Sequence, residues 1–277
     1  MANDAPSNSV PDGRVSVHIA DGIGTVEFFH PKGNSLPGAL LGTLADQIAT
    51  LGRHPDARVI VLRSGGTGPF CAGASFDEFS TIPDAAQGTE FFSGFSRVIL
   101  AMIRAPKFVI TRVHGKAAGG AVGIISASDY AFATRAASAR LSELAVGIGP
   151  FVVGTVVERR VGRGPFAAMS VDAAWRDATW CEQHGLYAQL CDDVDSLDTA
   201  VDALATTLAA SNPEAMTELK RVFWTGTEGW ESLLAERAAL SGRMVLSDFT
   251  RQAIAAFRAR QSTTEPVGRI KQARDRR

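Results

Sequence analysis

Two short runs of small residues and one glutamate set among aliphatic side chains are where this sequence could do chemistry. The first run is Phe70-Cys71-Ala72-Gly73-Ala74, which follows the apolar, β-branched Val59-Ile60-Val61-Leu62 and the turn Ser64-Gly65-Gly66-Thr67-Gly68-Pro69. The second is Ala117-Ala118-Gly119-Gly120-Ala121, which follows the strand-like stretch 108–113 and the turn His114-Gly115. Small residues after a buried strand let a ligand approach the backbone and leave N–H groups free to point at it. Two strand–turn–helix units of this kind can each aim one backbone N–H at the same oxygen. The third piece, 139–150, places the single carboxylate of Glu143 between Leu141, Leu144 and Val146.

Alone, each glycine-rich bend is an ordinary strand-to-helix turn and a lone glutamate is a surface residue. Together, VIVLRSGGTGPFCAGASFDEF, VHGKAAGGAVGIISASDYAFAT and ARLSELAVGIGP, in this order and at this spacing, resemble the crotonase (enoyl-CoA hydratase/isomerase) superfamily. The likeness runs from about Val15 to about Arg260. It implies an acyl-CoA thioester substrate that reacts through an enolate, with coenzyme A entering as part of the substrate and no separate cofactor. It also implies that the N–H groups of Ala74 and Gly120 form an oxyanion hole and that Glu143 is the general acid/base. Lys32, Ser35, Ala72, Gly73 and Gly119 are then the substrate and CoA contacts.

The sequence departs from the family pattern at three places. Gly123 stands where the first of two family glutamates would be, and Asp77 where an adenine-side lysine is often found. A shorter run, Ile148-Gly149-Pro150-Phe151-Val152-Val153-Gly154, replaces a longer glycine-rich one. One carboxylate narrows the mechanism without fixing it. Overall similarity favours a hydratase, which is the expectation from sequence alone; the carboxylate count favours the alternative, an enoyl-CoA isomerase. A protein that binds acyl-CoA but turns it over weakly is the alternative of another class. A serine hydrolase is not supported: Gly73-Ala74-Ser75-Phe76-Asp77 is not a nucleophile elbow, and none of the five histidines has an evident partner. His114 and His184 read as structural turn residues.

Composition bounds the rest. The chain has 277 residues, 45% of them hydrophobic and 21% charged, enough for a sizeable core. A net charge of -1 argues against electrostatic nucleic-acid binding. Three cysteines, Cys71, Cys181 and Cys191, suggest neither a disulfide framework nor a metal site; buried packing and a reducing, cytoplasmic setting are expected. The longest apolar stretch, 117–125, is too short and too interrupted to span a membrane, and residues 1–13 lack the pattern of a secretory signal.

The expected architecture is α/β: a crotonase-like ββα spiral core with a C-terminal α-helical region, the spiral being what the resemblance implies. Residues 1–13 read as a mobile tail, 14–200 as the acyl-CoA-binding core, 201–262 as the helical region and 263–277 as a basic tail. The stretches 14–19 and 24–29 flank Asp21-Gly22 and predict a hairpin. Helices are predicted over 37–52, over 197–210 and from Asn212-Pro213 onward, with a loop at 82–88 before a helix carrying Phe91, Phe92 and Phe95. Some of these aromatics are candidates for an acyl pocket, while most read as core. The family usually assembles as a trimer or a dimer of trimers, so the resemblance implies that partner as well.

Overall fold

In the computed structural model of this protein, the structure describes residues 8–10 and 13–263. Among the described residues, ten strands form two sheets. They are β1 (Asn8–Val10), β2 (Gly13–Ala20), β3 (Ile23–Phe29), β4 (Val59–Ser64), β5 (Val109–Val113), β6 (Ala117–Ala118), β7 (Tyr130–Thr134), β8 (Ser138–Arg140), β9 (Arg176–Asp177) and β10 (Gln189–Cys191). The large sheet runs β1-β2-β3-β4-β5-β7-β10, and the small one β6-β8-β9.

The predicted hairpin is present. β2 and β3 pair antiparallel with Ala20 opposite Ile23, and Asp21 and Gly22 turn the chain with φ of 51° and 78°. Both central residues at positive φ make the tight turn that matches the twist of the flanking strands. From β3 onward the large sheet is parallel. The first four residues of its strand β4, Val59 to Leu62, are apolar because both faces are covered there, and the alternation decides which layer each residue joins. Ile60 and Leu62 enter the main core, while Val59 and Val61 pack on the opposite side with Leu197, Val201 and Ala205.

The helices are α1 (Gly38–Arg53), α2 (Phe76–Phe79), α3 (Ala85–Arg104), α4 (Gly120–Ser126), α5 (Phe151–Val161), α6 (Arg163–Asp172), α7 (Ala178–Gln183), α8 (Val194–Ala209), α9 (Pro213–Phe223), α10 (Trp230–Met244) and α11 (Asp248–Thr263). A 3₁₀ turn covers Leu144–Val146. Helices α1, α3, α4 and α5 fill the main core, and α10 lies along α3. Glycines let that last pair approach: a Cβ on Gly88 would lie 2.9 Å from the Gly242 Cα. Helix α9 is tied in by a buried ion pair, Lys220 Nζ to Asp129 Oδ2 at 2.8 Å.

Several expectations shift. The loop predicted at 82–88 ends early, because Asp84 caps α3 by accepting from the Gln87 N–H at 2.8 Å, so the helix starts at Ala85. Gly88, which reads as a breaker, is inside that helix at the α10 crossing. Helix α8 begins three residues before the predicted Leu197, where Asp193 and Ser196 form a capping box. Within the predicted N-terminal tail, Asn8–Val10 pairs antiparallel with β2. Residues 1–7, 11, 12 and 264–277 lie outside the described residues, and with them nearly all of the expected basic tail. Cys71, Cys181 and Cys191 are buried free thiols, as expected. Among the described residues, no helix is long and apolar enough to cross a membrane.

Candidate active site

Four segments are laced side by side by main-chain hydrogen bonds. The loop at 30–36 comes first. Asn34, at φ 56°, accepts from the His30 N–H at 2.9 Å and donates to the Gly65 and Pro69 carbonyls, which pins the loop to the turn after β4. The Leu36 N–H then donates to the Gly73 carbonyl at 2.8 Å, and the Ser75 N–H to the Leu36 carbonyl at 3.1 Å. These bonds fix the first small-residue bend on one side. On its other side, the Cys71 N–H donates to the Lys116 carbonyl at 3.2 Å and the Ala118 N–H to the Cys71 carbonyl at 3.0 Å. The Gly119 N–H donates to the Arg140 carbonyl at 2.8 Å, which joins the second bend to β8 and hence to Glu143.

The lacing leaves two donors over. Among the described residues, the N–H groups of Ala74 and Gly120 donate to no other protein group. Glycine is required where the two bends touch. Gly73 adopts φ 91°, and a Cβ there would lie 2.6 Å from the Ala118 carbonyl oxygen and 3.7 Å from the Gly120 nitrogen. Gly120 faces the ring of Phe95, which a Cβ would meet at 2.0 Å. No side chain can stand between the two N–H groups and a bound oxygen.

Glu143 overhangs the second bend. A Cβ on Gly119, which has φ 55°, would come within 3.3 Å of Glu143 Oε1 and 3.5 Å of Ser142 Oγ. Glu143 Oε2 is buried and has no hydrogen-bond partner. Burial pushes the carboxyl up to about 7, against the smaller pull of the Glu143 and Ser142 N–H groups and of the Arg140 charge. A carboxyl near neutrality can both take and return a proton.

These groups line one open cavity of about 860 Å³. Of the predicted site residues, Lys32, Ser35, Ala72, Gly73, Ala74, Gly119, Gly120 and Glu143 all reach its wall. Gly123 does not: it is buried, and Val153 occupies the space its side chain would need, with Cβ and Cγ1 each 2.6 Å from an added Cβ. The aromatics divide. Phe79, Phe92 and Phe95 line the cavity, whereas Val98, Ile99 and Met102 belong to the main core and Phe91 packs behind Phe79 and Phe92. Lys32 pairs with Asp77, the residue that stands where a family lysine is often found. Both side chains are two-thirds exposed.

Among the lining residues that the sequence leaves unassigned are Arg140, Ser142 and Val153, and, from α10 and α11, Ser241, Ala253 and Ala256. Arg140 had a legible signal. Its neighbours Ala139 and Leu141 are buried, and alternation along a strand turns the residue between them the other way. Ser142 lies in a quoted motif, but nothing local says where its hydroxyl points. Among the described residues, no group of three His, Cys, Asp or Glu side chains is placed to hold a metal ion.

Residues 18–261 match the enoyl-CoA hydratase/isomerase family. The chain belongs to that family. Among its relatives is (7aS)-7a-methyl-1,5-dioxo-2,3,5,6,7,7a-hexahydro-1H-indene-carboxyl-CoA hydrolase of Mycobacterium tuberculosis, 31% identical over 162 residues, or 55% of this chain and 63% of the relative's own length. Another is 1,2-epoxyphenylacetyl-CoA isomerase of Escherichia coli, 26% identical over 66% of this chain and 71% of that protein. The fold is that of the crotonase superfamily. An enoyl-CoA hydratase structure from Bacillus halodurans superposes with a TM-score of 0.81 at 17% identity, covering 87% of this chain and 99% of the other.

Proposed function

We propose that this crotonase-family chain acts on an acyl-CoA thioester, with Glu143 as its single acid/base group and with enoyl-CoA double-bond migration as the reaction. The thioester oxygen accepts from the Ala74 and Gly120 N–H groups. Glu143 takes the α-proton of a 3-enoyl thioester, the electron pair moves into a dienolate whose charge rests on that oxygen, and Glu143 returns the proton to the γ-carbon. Two aligned donors in a site with little water are the main source of stabilisation for such an oxyanion, and removing one costs about 3–4 kcal/mol. Lys32 and Ser35, on the loop laced to the first bend, serve the CoA portion.

The observation that carries this reading is a buried, partnerless Glu143 Oε2 together with a glycine, Gly123, at the other expected carboxylate position, where Val153 fills the space a side chain would need. Adding water to a double bond calls for two groups that hold it, whereas moving a proton between two carbons calls for one base. A specific feature supports hydration as a second reading: Ser142 Oγ and Glu143 Oε1 both border the same point over Gly119, 3.5 and 3.3 Å from an added Cβ there, so a water held between them is a second way to place the nucleophile.

The test is to incubate the protein separately with a 2-enoyl-CoA and its 3-enoyl isomer, following product mass and double-bond position. Interconversion at constant mass, lost in Glu143→Gln, is the expected result. A gain of one water from the 2-enoyl substrate favours the second reading. Thioester binding without turnover of either substrate contradicts both.

A further inference from the structure

Arg140 stands in the wall of the cavity, where its charge reaches Glu143 but its side chain makes no ion pair or hydrogen bond among the described residues. It closes β8, its backbone carbonyl holds the Gly119 N–H, and its side chain lines the cavity next to Ser142 and Glu143. Its Nε is buried and has no hydrogen-bond partner, and no ion pair involves Arg140 among the described residues. Other arginines have carboxylate partners: Arg104 with Glu231, Arg112 with Asp198, Arg135 with Asp192 and Arg176 with Asp172. The other cation on the cavity wall, Lys32, is paired with Asp77. An Nε–H enclosed without an acceptor loses its water contact and gains nothing in return, so its place in the wall of an open cavity suits an acceptor from outside the protein. The planar fork of guanidinium donors matches a carboxylate or a phosphate edge.

We propose that Arg140 binds an anionic group of the ligand, and specifically a carboxylate carried on the acyl chain, so that the preferred substrates are CoA thioesters of dicarboxylic or otherwise carboxylated acids. CoA phosphates are the other source of the same chemistry. The acyl source is favoured by position: Arg140 shares its part of the wall with Glu143, which overhangs the bend where the thioester carbonyl would sit. Lys32 projects from the separate loop at 30–36. The inference rests on the acyl-CoA reading above, and it assigns that site a substrate class.

Equilibrium binding separates the possibilities without requiring turnover. Calorimetry would compare succinyl-, glutaryl- and adipyl-CoA with butyryl-, pentanoyl- and hexanoyl-CoA and with free CoA, for the wild-type chain and for Arg140→Met, Arg140→Gln and Arg140→Lys. Thermal melts of each variant control for folding, and the lysine variant serves if the uncharged ones do not fold. The expected result is at least tenfold tighter binding of the carboxylated thioester at one chain length. Arg140→Met and Arg140→Gln should abolish that preference and Arg140→Lys should keep part of it. Equal affinity for carboxylated and plain thioesters in the wild type overturns the inference. So does a loss in Arg140→Met that is as large for free CoA, which assigns the guanidinium to a phosphate. An equal loss for plain and carboxylated thioesters but not for free CoA likewise overturns it. If no thioester binds at all, the acyl-CoA reading falls with it, whereas unselective binding leaves that reading standing.

Discussion

Val153 stands where a side chain at position 123 would have to go. A Cβ on Gly123 would lie 2.6 Å from both Val153 Cβ and Cγ1, so the two positions are complementary in size and neither changes alone. Gly123→Glu by itself should therefore destabilise the fold by at least the roughly 1–3 kcal/mol of an overpacked core, read as a lower midpoint in denaturant. Gly123→Glu combined with Val153→Ala relieves the clash and restores a second carboxylate. That double variant should gain hydration of 2-enoyl-CoA relative to wild type; no gain in a folded double variant would mean that the missing carboxylate is not what limits hydration.

The titration of Glu143 should be visible in both rate and stability. With its carboxyl raised to about 7, kcat/KM should increase with pH through a midpoint near that value, and Glu143→Gln should lower it by roughly 10²–10⁴. The sign for stability is the reverse. As pH rises, the unfolded chain gives up this proton near the ordinary carboxyl value of 4.5 while the folded chain holds it to about 7. Folding stability therefore falls across that window, by up to about 3 kcal/mol. Glu143→Gln should raise the melting temperature at pH 8 but not at pH 4, a comparison that scanning calorimetry makes directly.

Gly120→Ala should disable the site through Phe95. The added methyl would meet that ring at 2.0 Å, so either the bend or the ring must move, and the Gly120 N–H turns away from its target. A loss of about 10²–10³ in kcat is expected, the usual cost of one oxyanion donor. Adding Phe95→Ala to Gly120→Ala should restore part of the lost rate. Identical rates for the single and double variants would separate the ring from the effect.

Much of this was legible because it is local. The Asp21-Gly22 hairpin, the β4 strand and the two small-residue bends all follow from neighbours within a few residues, whereas Leu144, which reads as part of the apolar setting of Glu143, is 49% exposed. The long-range pairings were not legible. Nothing in Gly123 announces that Val153, thirty positions later and on another helix, has taken its space. Gly88 reads as a helix breaker until the α10 backbone is seen lying against it. Arg140 sits inside a motif whose evident feature is its glutamate, although burial of Ala139 and Leu141 turns it toward the cavity.

The Asp129–Lys220 pair is the strongest candidate for a polar keystone between α9 and the parallel sheet. Asp129 also accepts from the Val109 N–H at 2.7 Å and the Trp224 Nε1–H at 3.1 Å, and Lys220 Nζ donates to the Met102 and Lys107 carbonyls. Lys220→Met leaves a buried carboxylate without its cation and should cost about 3–5 kcal/mol. Lys220→Met with Asp129→Asn should cost less than Lys220→Met alone, a difference that denaturant melts of the two proteins would measure.

Exchange of the α-proton tests the central claim most directly. A 3-enoyl-CoA incubated with the protein in deuterium oxide, sampled by mass spectrometry before net conversion, should take up deuterium at its α-carbon with wild type and not with Glu143→Gln. Exchange by Glu143→Gln at the wild-type rate, or neither exchange nor double-bond migration by a wild-type protein that binds the thioester, would contradict proton transfer by Glu143 to and from an enolate held by Ala74 and Gly120.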